Sequence, residues 1–226
     1  GSGTEIGEGN KEMAIYFPKL STAKNVVSGI NVDAIIDPST RKFILDFDGD
    51  GRDEFMVVTG NSTNIYSISQ TGTATLIYSG SFPTSFMGLS LGDFNGDGKG
   101  DFMVEGANDQ NKLEIAFSTG TSFKLIEAVG VDYESFGSVK IADYNGDGKS
   151  DIISYLGAGP DFTIYYSNGK SFKNAGFPIS KTLNSDFDSF ISGDFNGDGR
   201  TDEITSNTIG APLDILYFNP FENDLL

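Results

Sequence analysis

The chain has 226 residues, 38% of them hydrophobic and 12% aromatic, enough to bury one large all-β core or two ordinary domains. A formal net charge of −17 disfavours nucleic acid and anionic membrane surfaces, whose phosphates would be repelled. With no cysteine and no histidine the chain can build no disulfide, no ordinary zinc centre and no Ser/His or Cys/His nucleophile, which leaves carboxylate or lysine chemistry as the open enzymatic routes.

Residues 1–11 read as a linker or cloning scar, and no apolar run is long enough to insert into a membrane. The stretch "EMAIYFPKLSTAKNVV" (12–27) carries two strand-like runs, expected to be the third and fourth strands of a repeat whose first half lies outside the chain. Beyond it one nonapeptide recurs: "DFDGDGRDE" (46–54), "DFNGDGKGD" (93–101), "DYNGDGKSD" (143–151) and "DFNGDGRTD" (194–202). Its first Asp advances by 47, 50 and 51 residues. Each copy is preceded by a strand-like run ("KFILDF", "FMGLSLGDF", "SVKIADY", "SFISGDF") and followed by another ("FMVVTG", "FMVEGA", "IISYLG", "EITSNT"). A third starts at Ile65, Leu113, Phe162 and Leu213, and turn residues lead to a fourth, clearest in "STGTSFKLIEA" (118–128) and "SNGKSFKNAGF" (167–177).

Four short strands in about 50 residues, with no sustained helical period, predict an all-β fold: a β-propeller of four-stranded antiparallel blades. The expected divisions are a half blade at 12–37 and blades at 38–84, 85–134, 135–184 and 185–226. The aromatic at the second motif position (Phe47, Phe94, Tyr144, Phe195) is the predicted contact between blades. A calcium-binding parallel β-helix has much shorter turns and does not fit this period. Two arrangements are open: a ring closed by the N-terminal hairpin, or, as favoured here, a segment of a longer parent protein.

The nonapeptide itself predicts a metal loop between the first and second strands of each blade. Oxygen-bearing side chains fall at positions 1, 3, 5 and 9: Asp46, Asp48, Asp50 and Glu54; Asp93, Asn95, Asp97 and Asp101; Asp143, Asn145, Asp147 and Asp151; Asp194, Asn196, Asp198 and Asp202. Position 7 (Arg52, Lys99, Lys149, Arg200) would offer its backbone carbonyl, with its side chain pointing away. Glycines at positions 4 and 6 allow the positive φ that folds the loop back. A hard cation with several oxygen ligands is Ca²⁺, up to four per chain, and Mg²⁺ fits less well. An EF-hand would need Glu at position 12, where this chain has Val57, Val104, Ser154 and Thr205. The loops hold 14 of the 32 acidic residues, and four Ca²⁺ would bring the net charge to about −9. The first loop is the most negative and is expected to bind tightest.

On these motifs the chain resembles the FG-GAP, or VCBS, repeat family. The third repeat, "FGSVKIADYNGDGKSDIISYLGAGP", carries Phe136–Gly137 before the loop and Gly157–Pro160 after it, and the fourth ends in "IGAP" (209–212). The first two repeats lack a clear Phe-Gly and Gly-Ala-Pro. The resemblance implies propeller blades with Ca²⁺ in the hairpin loop, as in integrin α-subunit heads, fungal lectins and the B components of bacterial toxin complexes.

The function expected from all this is non-catalytic: a calcium-stabilised scaffold or binding module, part of a larger secreted or cell-surface bacterial protein. Its partner would be another protein or the remaining blades of the parent chain. The alternative is a lectin that recognises glycans with Tyr16, Tyr165, Tyr166 and Tyr217, although strand alternation places such tyrosines in the core more readily than in a pocket. A carboxylate glycosidase has no acidic motif outside the loops to use.

Overall fold

Seventeen short β-strands and no helix make up the residues that the structure, a computed structural model, describes: 13–15, 25–27, 30, 37–81, 89–105, 113–128, 130–131, 138–155, 162–175, 191–205 and 214–216. Strands β1 (Met13–Ile15) and β2 (Asn25–Val27) form a separate antiparallel pair. The first blade is β3 (Thr40–Leu45), β4 (Glu54–Thr59), β5 (Ser62–Ile68) and β6 (Ala74–Ser81) in sequential antiparallel order. The second is β7 (Leu89–Gly92), β8 (Asp101–Glu105), β9 (Leu113–Ser118) and β10 (Phe123–Glu127). The third is β11 (Ser138–Ala142), β12 (Asp151–Tyr155), β13 (Phe162–Ser167) and β14 (Phe172–Asn174). The fourth shows β15 (Ile191–Gly193), β16 (Asp202–Thr205) and β17 (Asp214–Leu216). The fourth strand expected there, like the Phe-Gly and Gly-Ala-Pro segments, falls outside the described residues.

Register explains why the nonapeptide recurs intact. The strand pairs that flank it close on Leu45–Glu54, Gly92–Asp101, Ala142–Asp151 and Gly193–Asp202. Positions 1 to 8 are therefore the whole connection between the first two strands of every blade, and position 9 opens the second strand.

Alternation along the strands then builds the core. In β8, Phe102 and Val104 join Phe47, Met56, Val58 and Ile65 in a cluster between the first and second blades. Met103, one residue out of phase, joins Phe94, Ile115, Ile152 and Tyr165 between the second and third. Both faces of the second blade are thus apolar, and each is covered by a neighbouring blade. The position-2 aromatics occupy these joints. Phe47 lies 5.0 Å from Phe123 and 5.7 Å from Tyr78, and Phe94 lies 6.0 Å from Phe172, ring centre to ring centre. Phe47, Phe94 and Tyr144 are at most 1% exposed, whereas Phe195 is 42% exposed.

The difference is measurable. In excess calcium, Phe94→Ala should cost about 3–5 kcal/mol of stability by urea unfolding, as expected for a phenylalanine removed from a packed core. Phe195→Ala should cost less than about 1 kcal/mol. Equal losses would contradict this division of roles.

Candidate metal centre

The four loops share one hydrogen-bond pattern, and side chains organise it. In the first loop the Asp46 carboxylate accepts the N–H groups of Gly49 (2.8 Å), Asp50 (3.2 Å) and Gly51 (2.9 Å). Asp48 accepts from Asp50 N–H at 3.1 Å, and Asp50 accepts from Arg52 N–H at 2.9 Å. Asp93, Asn95 and Asp97 repeat the arrangement, as do Asp143, Asn145 and Asp147, and Asp194, Asn196 and Asp198. The backbone can point three successive N–H groups at one carboxylate only by turning back at positions 4 and 6. Gly49 and Gly51, with φ of 79° and 83°, make those two turns.

Positions 1, 3 and 5 are thereby brought together. The carboxylate oxygens of Asp46, Asp48 and Asp50 lie within 4.8 Å of one another. Each pair of unit charges at that spacing repels by about 1 kcal/mol even at the dielectric constant of water. The other loops replace the middle carboxylate by an amide oxygen, which keeps the donor set and lowers the charge. These are hard oxygen donors on a preorganised loop, and they fit a hard cation such as Ca²⁺.

Position 9 is placed differently, at the buried base of the loop. Asp101 accepts Phe94 N–H at 3.0 Å and Ser118 N–H at 2.8 Å, which ties the loop to the third strand. Asp151 does the same with Tyr144 (3.0 Å) and Ser167 (2.8 Å). Glu54 accepts Phe47 N–H at 2.8 Å, and Asp202 accepts Phe195 N–H at 3.1 Å. Burial, opposed by those backbone bonds and reinforced by the nearby loop acids, pushes Asp101 and Asp151 up to about 7. Burial also raises Glu54.

One expectation about position 7 needs correction: its side chain does not point away from the loop. Lys99 Nζ lies 3.1 Å from Asp97, Lys149 Nζ 3.2 Å from Asp147 and Arg200 3.7 Å from Asp198, while Arg52 pairs with Asp50. The loop's negative charge draws its own cation back. The Lys or Arg stem also crosses onto the preceding loop. A side chain at Gly49, Gly96 or Gly146 would meet the stem of Lys99, Lys149 or Arg200, respectively, at 3.1 Å.

The sequence reading missed the joint that these stems belong to. The N–H groups at position 8, Gly100, Ser150 and Thr201, donate to the position-1 carbonyls of the blade before, Asp46 (2.6 Å), Asp93 (2.7 Å) and Asp143 (2.8 Å). Ser118 and Ser167, each ending a third strand, donate to the carbonyls of Phe47 and Phe94 at 2.5 and 2.6 Å. At the third joint Tyr144 donates to the buried Glu203 at 2.7 Å and Arg200 to Asn145 at 3.2 Å. The recurrence of Ser 25 and 24 residues after Asp93 and Asp143 was the available signal for the serine contacts.

Blades of this kind, with an acidic turn between their first two strands, define a propeller-type repeat. The FG-GAP-like repeat model matches residues 46–104 and 143–205, more than half of the chain, so the chain belongs to that family. It is similar in structure to a lectin of Agrocybe aegerita described as recognising non-reducing terminal N-acetylglucosamine, with TM-score 0.56 and 18% identity over 80% of this chain and 52% of that one. It is also similar to a chain of the Photorhabdus luminescens Tc holotoxin pore, with TM-score 0.61 and 16% identity over 91% of this chain and 10% of that one. The chain thus spans about half of the lectin and a tenth of the toxin chain, and at these identities the likeness is one of fold. No curated protein matches the chain by sequence.

Asp101 and Asp151 give the metal-free protein a defined pH dependence. A carboxyl raised in the folded state contributes stability that is complete below its unfolded pKa, near 4, and is lost as pH rises through about 7. In chelator, the melting temperature should therefore fall between pH 4 and pH 7.5, and the fall should be shallower in Asp101→Asn. A melting temperature that rises across this range would contradict the assignment.

Proposed function

We propose that the chain is a non-catalytic, calcium-stabilised propeller scaffold, acting as part of a larger secreted or cell-surface protein. The observation that carries this reading is that each of the first three acidic loops is also the joint to the next blade. A cation held by the oxygens at positions 1, 3 and 5, with the position-7 carbonyl and position 9, would neutralise the cluster and hold the loop in the shape that the next blade grips. The ion supplies charge and coordination, not reaction chemistry.

Sites of this class in extracellular modules bind at ~10⁻⁴–10⁻³ M, within reach of extracellular calcium and well above cytosolic levels. The family, in which calcium loops are common, and the fold shared with a toxin-complex chain both support an extracellular assembly role. Protein partners, including further blades, suit such a scaffold. The lectin neighbour keeps glycan recognition as the alternative. Against it, Tyr165 is wholly buried between the second and third blades; Tyr166 is partly buried, and Tyr16 and Tyr217 lie outside the described residues and bear on neither reading.

At ~20-fold excess over Kd, one site stabilises the fold by about 1.8 kcal/mol. Four sites in a chain of this size correspond to a melting shift of about 15–25 °C. Adding EGTA should lower the melting temperature by that order, and Asp97→Ala should forfeit about a quarter of it. An unchanged melting temperature in EGTA would rule out structural calcium.

A further inference from the structure

The forward face of the fourth blade leaves exposed the position-2 aromatic and the loop glycine that the molecule covers at each earlier joint. Ile191 and Phe195 are 62% and 42% exposed. Their register equivalents in the first blade, Phe43 and Phe47, pack into the cluster shared with the second blade. A side chain at Gly197 would meet nothing within 4 Å, whereas at Gly49, Gly96 and Gly146 it would meet the next blade's Lys or Arg stem. Among the described residues, none supplies Asp194 and Phe195 with the N–H and hydroxyl bonds that the carbonyls of Asp93 and Phe94 receive.

We propose that this face is a socket for one further blade of the same repeat type, carried outside the residues described. The inference rests on the scaffold reading and specifies its partner. The existing joints define the required chemistry. The incoming blade presents Lys or Arg at loop position 7, a small residue at position 8 and a serine at the end of its third strand.

Size matching at position 8 narrows the choice. Gly100 must be glycine because a Cβ there would sit 2.7 Å from the Leu45 Cβ. At the next joint the sizes reverse: Gly92 makes room for Ser150, whose Cβ would be 2.8 Å from a side chain at position 92. The fourth blade has Gly193 at this place, and residues 193–199 are identical to residues 92–98, "GDFNGDG". In its loop the fourth socket therefore copies the one that receives the third blade, with its Lys149, Ser150 and Ser167, while on the strand Ile191 stands where that blade has Ser90. The Phe195 ring now lies against Gly193, 3.0 Å from where a side chain would begin, and docking would swing it aside.

The first blade of a second copy fits poorly. It offers Asp53 at position 8, larger than serine and charged, and Ile68 where Ser118 and Ser167 donate their hydroxyls.

The test joins a second copy of residues 135–184, the third blade, to the C-terminus of the full chain through a flexible linker. In excess calcium, the extended protein should melt several degrees higher than the parent, and hydrogen exchange at 191–197 should slow at least tenfold. The same extension carrying Lys149→Glu and Ser167→Ala in the added blade alone should lose both effects, while the parent chain keeps its fold. Unchanged exchange at 191–197 would overturn the proposal. Concentration-dependent self-association of the parent that Phe195→Ser abolishes would assign the face to a second copy and overturn it as well. EGTA separates the two readings: if calcium still stabilises parent and extended chain alike while the socket stays exposed, the socket fails and the scaffold reading stands.

Discussion

The architecture depends on one electrostatic constraint. Each blade turns its first corner with a loop that gathers two or three carboxylates and folds their oxygens toward one another. Like charges at that spacing repel, and water weakens the repulsion without removing it. Backbone N–H groups aimed at the position-1 aspartate offset part of it. The cation at position 7, folded back onto position 5, offsets more. In our account a divalent ion completes the balance, because the same loop must stay rigid enough to be gripped by its neighbour.

That grip runs through backbone atoms as well as side chains. Position-8 N–H groups bond position-1 carbonyls, and lysine or arginine stems lie on position-4 glycines. Below this polar rim, Phe47 and Phe94 fill the apolar joint. Position 9 links the two levels: Asp101 holds the loop through Phe94 and the third strand through Ser118. A disturbance of the loop therefore reaches the core in a single residue step, and a loop that is loosened should loosen the neighbouring blade as well as its own.

Much of this was legible in the sequence because repetition amplifies it. One "DFNGDGK" is an ambiguous acidic turn, whereas four at a near-constant step specify the blade, the loop and the two strands beside it. The position-2 aromatic was legible for the same reason. What escaped was whatever depends on which blade follows which. The position-7 side chain was expected to leave the loop, because the sequence shows its charge but not the aspartate and the glycine that hold it. Ser118 and Ser167 read as turn residues, because their acceptors lie 71 and 73 residues away. The Tyr144–Glu203 bond, spanning 59 residues, has no periodic partner to reveal it.

The most direct test is a count of bound calcium. Equilibrium dialysis of the full chain against radioactive calcium at millimolar concentration should give about four ions per chain, falling by one when Asp97 and Asp93 are both replaced by Ala. No ion bound at that concentration, in a protein whose far-ultraviolet spectrum still shows folded β-structure, would contradict the account.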